Sequence, residues 1–396
     1  MNVASVRSWA VMLSGLCFLA TDARGDDSVV DEIFNNSQPT IQQVFFEGED
    51  DDDPDPNEAP AFIPSPSINP RFYVDYDRGL VFRPIDQKET PFELKVRIRL
   101  QSRYSAFSRD IKTYSNQGDA DRGGPLFIEN RNYFEIERSR IMFSGYVINP
   151  QTKYYISIDA NTDNENQLQL WDFWLYREFT EEFRIYTGKG MVPGSRDWLN
   201  TSPRTHLADR SMATTFFRPG RSLGVWARGR MRNEFYYRIF IGNGMRSGNR
   251  APSELDNHFM GAMTSWWEPW GDYGRGYADL ANHDCPVIRL GHSFTYAKQS
   301  GKTDGSTNDE QLYVRLSDGT RLITPGALAP GVTVNAFDTY LYSIDAALKY
   351  AGFSSNTEVF LRWLTEFGTV GGAVPHSELM DRGFVTDVGY FVIPQR

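Results

Sequence analysis

From Tyr133 to Gly244 the chain reads as short runs with aromatic or aliphatic residues on one parity and polar or cationic residues on the other. In Arg138-Ser139-Arg140-Ile141-Met142-Phe143-Ser144-Gly145-Tyr146-Val147, one face takes Ile141, Phe143 and Val147 and the other Arg138, Arg140 and Ser144. Strand side chains alternate at period two, so one such run builds an apolar wall and a charged lining together. The code recurs downstream. Tyr154, Ile156, Ile158 and Ala160 alternate with Tyr155, Ser157, Asp159 and Asn161. Phe235, Tyr237, Ile239 and Ile241 alternate with Glu234, Tyr236, Arg238 and Gly242, and Tyr340, Tyr342, Ile344, Ala346 and Leu348 with Leu341, Ser343, Asp345 and Lys349. A wall greasy outside and polar inside suits a transmembrane barrel and is the inverse of a soluble sandwich.

Gly, Asn, Asp and Pro punctuate the pattern into fourteen predicted strands. They fall near 72–76, 79–83, 93–106, 132–147, 153–161, 167–177, 182–188, 221–231, 234–242, 258–267, 286–297, 338–350, 356–367 and 382–393. The reading is therefore all-β: an antiparallel transmembrane β-barrel over residues 71–396. Two connections are long and structureless by this reading, 189–220 and 298–337. Long loops in a compact domain carry function, and barrels keep theirs at the outer end.

Composition agrees with strands as the crossing elements. Among 396 residues no run of 18 apolar positions exists, so a conventional spanning helix is excluded. Barrel strands escape that test, since only alternate residues need be apolar. Aromatics reach 14%, which suits strand ends at a lipid–water boundary. Trp171, Trp174, Trp266, Trp267 and Trp270 are read as members of such a belt.

Residues 1–23 have the form of a secretory signal: Arg7, an apolar core from Trp9 to Ala20, then Thr21-Asp22-Ala23. With that signal removed, Cys285 is the one remaining cysteine, so no intrachain disulfide can form. Residues 24–70 are polar, acidic and Pro-rich, read as a disordered, solvated tether. Within it, Phe46 to Pro60 holds eight carboxylates and no Lys or Arg, which accounts for most of the net charge of −10. Between Arg184 and Arg246 the balance reverses, with twelve basic residues against Asp197, Asp209 and Glu234.

No catalytic constellation is visible: no phosphate-cradling glycine loop, no Gly-x-Ser-x-Gly elbow and no His-Glu-x-x-His helix. The adjacent His283-Asp284-Cys285 rarely converge on one metal in such an arrangement. Glu135 and Glu137 share a strand face and read as lining paired to nearby arginine rather than as a glycosidase pair. The chain is thus not read as an enzyme, and no cofactor, metal or nucleic-acid partner is called for. Arginine does have a physical task. A guanidinium stays charged at physiological pH, and its planar fork matches phosphate or carboxylate oxygens. Arg138, Arg140, Arg228 and Arg238 sit on the polar parity, where a ring of cations attracts anions and repels cations.

The run Phe134-Glu135-Ile136-Glu137-Arg138-Ser139-Arg140, then Trp171-Asp172-Phe173-Trp174-Leu175, Tyr186-Thr187-Gly188-Lys189-Gly190-Met191-Val192-Pro193 and Phe217-Arg218-Pro219-Gly220-Arg221-Ser222-Leu223-Gly224, resembles the phosphate-selective porin O and P family. Gly242-Asn243-Gly244, Trp267-Glu268-Pro269 and Gly389-Tyr390-Phe391-Val392 extend the resemblance over about residues 72–396. It implies an outer-membrane barrel of about 16 strands in a diderm bacterium, exported by its signal peptide, in contact with outer-membrane lipid and commonly trimeric. It also implies passive diffusion of small anions such as phosphate. By matching position, Arg138, Arg140, Lys189, Arg218 and Arg221 belong to the anion path, with Gly188, Pro193 and Gly224 shaping the strand ends. Against that pattern the chain is C-terminally short, ending Ile393-Pro394-Gln395-Arg396 without a terminal aromatic. A rival reading from another class is a secreted β-rich binding or structural protein whose exposed aromatics stack on polysaccharide.

Overall fold

A computed structural model describes residues 72–107, 131–160, 167–300 and 313–392. The signal and the acidic tether, 1–23 and 24–70, lie outside the described residues.

Fourteen strands follow one another in a single antiparallel meander, each bonded to the next. They are β1 (Phe72–Tyr76), β2 (Leu80–Pro84), β3 (Leu94–Phe107), β4 (Arg131–Val147), β5 (Asn149–Ala160), β6 (Gln169–Thr180) and β7 (Phe183–Met191). After a long connection come β8 (Arg221–Met231), β9 (Phe235–Gly242), β10 (Met260–Trp267), β11 (Val287–Ser300), β12 (Thr333–Tyr350), β13 (Phe353–Val370) and β14 (Glu378–Tyr390). Every strand expected from the alternation is present. Sixteen, the number the resemblance implies, is not reached among the described residues, nor does a ladder there join β14 to β1. No helix of the described residues is long and apolar enough to cross a membrane.

The sheet is inside out relative to a soluble protein. On β12, Asp345 and Lys349 are each 2% exposed, whereas Ile344 beside them is 50% exposed. On β13, Asn356, Glu358 and Arg362 are buried while Val359 is exposed. Charged groups are almost never buried unless paired, so the buried face must supply partners and the apolar face must meet something other than water.

Bulges preserve this sidedness where the sequence parity breaks. The β3–β4 register slips between Gln101 and Ser102, opposite Glu137. An extra residue at that point lets Glu135 and Arg138, of opposite parity, both point inward, while Phe134 and Ile141 stay exposed. On β7, Gly188 does comparable work at φ +136°, where a Cβ would meet the Phe173 carbonyl oxygen at 2.3 Å. Lys189 is thereby turned inward although Thr187, of the same parity, is exposed.

The sheet is also strongly curled. Asp209, in the connection after β7, bonds Arg103 of β3 and Arg138 of β4. Three residues earlier, His206 bonds Asp387 of β14. Ten strand spacings of about 4.8 Å separate β4 from β14 in a flat sheet, roughly 48 Å, while three residues of chain span at most about 11 Å. Only a sheet wrapped around the connection brings both ends within its reach.

That connection corrects the sequence expectation in two ways. Lys189, assigned to the loop, belongs to β7. The segment from Val192 to Gly220 is also not structureless. It carries α1 (Arg196–Leu199) and α2 (Met212–Phe217), capped by the Ser195 and Ser211 side chains. Helices of one turn or so are too short to leave a 3.6-residue period. The predicted 298–337 connection likewise gives up its ends to β11 and β12. Its middle packs Val314, Leu322 and Ile323 on Val334, Phe337 and Leu364.

Candidate functional site

The connection between β7 and β8 divides the concave face. On one side it is locked to β12, β13 and the β10–β11 connection. Glu358 accepts the backbone N–H groups of Arg196 and Asp197 at 2.9 and 2.8 Å. The Arg196 guanidinium donates to Asn356 at 2.7 Å and lies against the Tyr273 and Tyr277 rings. Asp197 accepts from Tyr277 and Thr214, and Phe217 stacks on Phe360 at 5.4 Å. Burial comes first among the causes that hold the Tyr277 hydroxyl well above its ordinary pKa, with the Asp197 carboxylate beside it second. The hydroxyl therefore stays a donor.

On the other side, against β3 to β9, lies a cavity of about 1220 Å³. Its lining includes thirteen arginines and Lys189, against Glu137, Asp159 and Asp172, an excess of eleven positive charges. All seven residues expected on the anion path line it: Arg138, Arg140, Lys189, Arg218, Arg221, Arg228 and Arg238. Lining does not exclude pairing, and several of these residues do both. Arg140 donates to Asp159 at 2.9 Å, and Arg221 grips Asp172 with two nitrogens at 2.8 and 3.2 Å. Arg138 bonds Gln101 at 2.7 Å and approaches Glu137 at 3.2 Å. Lys189 donates to the Leu170 carbonyl and to Asn249. Arg228 and Arg238 are directly opposed across β8 and β9, beneath the rings of Tyr186 and Trp266.

Two tryptophans order the guanidinium groups. Arg140 and Arg221 lie over Trp171 at 5.0 and 4.3 Å. Arg210, Arg218 and Arg221 lie over Trp198 at 4.9, 5.2 and 5.5 Å. Each contact is within the roughly 6 Å at which a ring face attracts a cation. Stacked guanidinium groups keep their in-plane N–H donors available, which is how a planar oxyanion is gripped.

The loop cations are poorly compensated. Burial and then the neighbouring Arg221 push Arg210 down to about 10, though Asp197 opposes this. Burial and Arg218 push Arg246 down to about 10. Arg218 is lowered by burial and by Arg221. Among the described residues, the hydrogen bonds of Arg210 and Arg246 go to backbone carbonyls of Asp197, Asn200, Thr215 and Arg218. A site that disfavours its own charges is one that a bound anion stabilises.

Arg196, on the same connection, does not reach the cavity; it is buried on the locked side. Trp171 and Trp174 line the cavity and Trp266 is buried, so only Trp267 and Trp270 of the proposed belt are exposed. Trp171 is the extra residue of a bulge in the β5–β6 register, between Ser157 and Ile158, and so turns inward against the parity of Trp174 and Tyr176. Missed altogether were Arg97 and Arg99, which also line the cavity. Leu94-Lys95-Val96-Arg97-Ile98-Arg99-Leu100 is as clean an alternation as any in the chain and carried the signal.

No protein-family model matches this chain, and no curated protein sequence matches it.

Proposed function

We propose that this chain is an outer-membrane porin of a diderm bacterium that passes small anions, phosphate-like ones among them, by passive diffusion. In this reading the curled sheet closes into a barrel whose apolar face meets lipid and whose polar face bounds the path. The observation that carries it is the lining charge of the cavity, fourteen cationic side chains against three acidic ones, contributed by the buried face of a sheet with an apolar exterior and by the connections beside it.

The physical sequence is simple. Excess positive potential in a narrow, low-dielectric passage concentrates anions and turns cations away. Guanidinium forks at Arg210, Arg218 and Arg246 then replace part of the anion's hydration. Neighbouring sites at Arg138, Arg140 and Arg221, then Arg228 and Arg238, offer successive resting places of similar chemistry. Because many sites share the load, none needs to bind so tightly that release becomes slow. Nothing in this scheme calls for a bound cofactor.

Single-channel recording of the purified protein under a salt gradient tests it. A reversal potential of anion-selective sign is expected; a cation preference, or no conductance, retires the reading.

A further inference from the structure

The cavity wall is not charged throughout. Gly190 of β7 lies between two indoles of the neighbouring strands, Trp174 of β6 and Trp226 of β8, and all three residues line the cavity. A methyl group built on Gly190 would lie 3.5 Å from the six-membered ring of Trp226 and 3.7 Å from Cδ1 of Trp174. Both are ordinary van der Waals distances. Gly188, two residues earlier, has a positive φ and a carbonyl pressed against it; Gly190 has neither. Backbone strain therefore does not account for glycine at this position. What the missing side chain leaves is a gap one carbon thick between two indoles, the thickness of a flat ring.

The walls of this slot are braced from behind. Tyr155 stacks on Trp174 at 5.1 Å, and Phe240 lies against Trp226 at 4.8 Å. Indoles held in this way lose little freedom when a ring enters between them. Charge stands at the end of the slot. Across the β7–β8 ladder Gly190 faces Ser222, and its neighbour Met191 faces Arg221. The two rungs are one strand residue apart, about 3.4 Å. Arg221 lines the cavity over Trp171 at 4.3 Å, with Arg140 over the same ring at 5.0 Å. A ring seated at Gly190 thus carries an anionic substituent toward guanidinium groups that are already ordered.

We propose that Trp174, Gly190 and Trp226 form a ring-binding subsite of the cavity. The solute class it selects is an oxyanion bearing one flat ring, such as an aryl phosphate, over an oxyanion without one. The subsite rests on the porin reading for its place on a solute path, but ring binding can be measured without any current.

The probes are phenyl phosphate and methyl phosphate at about pH 8, where both esters are dianions and the ring is what separates them. Calorimetry on the purified full chain in detergent reads their affinities, and half-blocking concentrations of chloride current read the same ratio in the path. Phenyl phosphate should bind at least ~10-fold more tightly, the gain of one stacked ring. Gly190→Leu fills the slot and should bring the ratio to about one. Trp226→Leu removes one wall without adding bulk and should lower the ratio severalfold, so the argument does not hang on a single variant. Equal affinity for the two esters in the native chain, or a ratio untouched by these substitutions, overturns the subsite. The two readings fail separately: anion-selective current with a ratio of one counts against the subsite alone, whereas an intact ratio without anion selectivity counts against the porin.

Discussion

At the scale of single residues, charge in this molecule is ordered by what lies beneath it. Arg221 is held by two oxygens of Asp172 and by the faces of Trp171 and Trp198. Arg218 has the Trp198 ring and no carboxylate among the described residues. The two should respond differently to substitution. Arg218→Glu swings the local charge by two units. For an anion about 6 Å away in a watery passage, that is on the order of 1.4 kcal/mol, a tenfold fall in its local concentration; a cation gains as much, so the anion-to-cation permeability ratio should fall about a hundredfold. Arg221→Lys keeps the charge but loses the fork and the stacking, so selectivity should persist while anion block weakens severalfold. Reversal potentials and phosphate block of chloride current read the two effects. Unchanged phosphate block in Arg221→Lys would mean that charge alone matters and the stacking does not.

At the scale of elements, the sheet was legible and the inner loop was not. Strand existence follows from alternation, and alternation is strong here because one face is polar and buried and the other apolar and exposed. Bulges at Glu137 and near Trp171 invert parity locally, so simple alternation does not place Glu135 and Trp171 on the polar face where the structure has them. Loop residues have no such code: Arg196 and Arg210 share composition and neighbourhood, yet one is buried against β13 and the other faces the cavity. That sorting depends on Glu358, 162 residues from Arg196 along the chain, which receives the N–H groups of Arg196 and Asp197. Glu358→Ala should therefore release α1 while leaving the strands paired. Limited proteolysis should gain cuts between residues 196 and 217, and the current should become noisy. A quiet channel with an uncut loop would show that the aromatic contacts alone suffice.

β14 departs from the apolar exterior near its middle. Arg382 is exposed on β14, opposite Leu361 near the middle of β13, with Met380 and Phe384 as its exposed neighbours. A lipid-facing arginine at mid-depth costs roughly 2–4 kcal/mol. If bilayer meets β14 there, Arg382→Leu should raise resistance to urea unfolding in lipid vesicles by about that amount. An unchanged or lowered stability would place protein rather than lipid against this strand.

For the molecule as a whole, the choice of arginine sets how the passage responds to pH. Arg210 and Arg246, each pushed down to about 10 by burial and by other arginines, are the loop cations that titrate first. The sign follows from the depression. A cation whose folded pKa lies below its unfolded value is disfavoured by folding while charged, and that penalty is relieved as pH rises through about 10 toward the unfolded value. Alkali should thus not unfold the protein through these two groups; it should remove their contribution to the field. Anion selectivity is expected to stay level from about pH 6 to 9, then fall from about pH 10 upward while the melting temperature holds. Phosphate in the cavity acts oppositely, since an anion beside the guanidinium groups favours their charged form and should move the onset to higher pH. Reversal potentials across this range, with and without phosphate, test both halves of the argument. A decline beginning below about pH 8 would point to lysine or histidine as the carrier of selectivity, and the arginine-lined path would then not be the route.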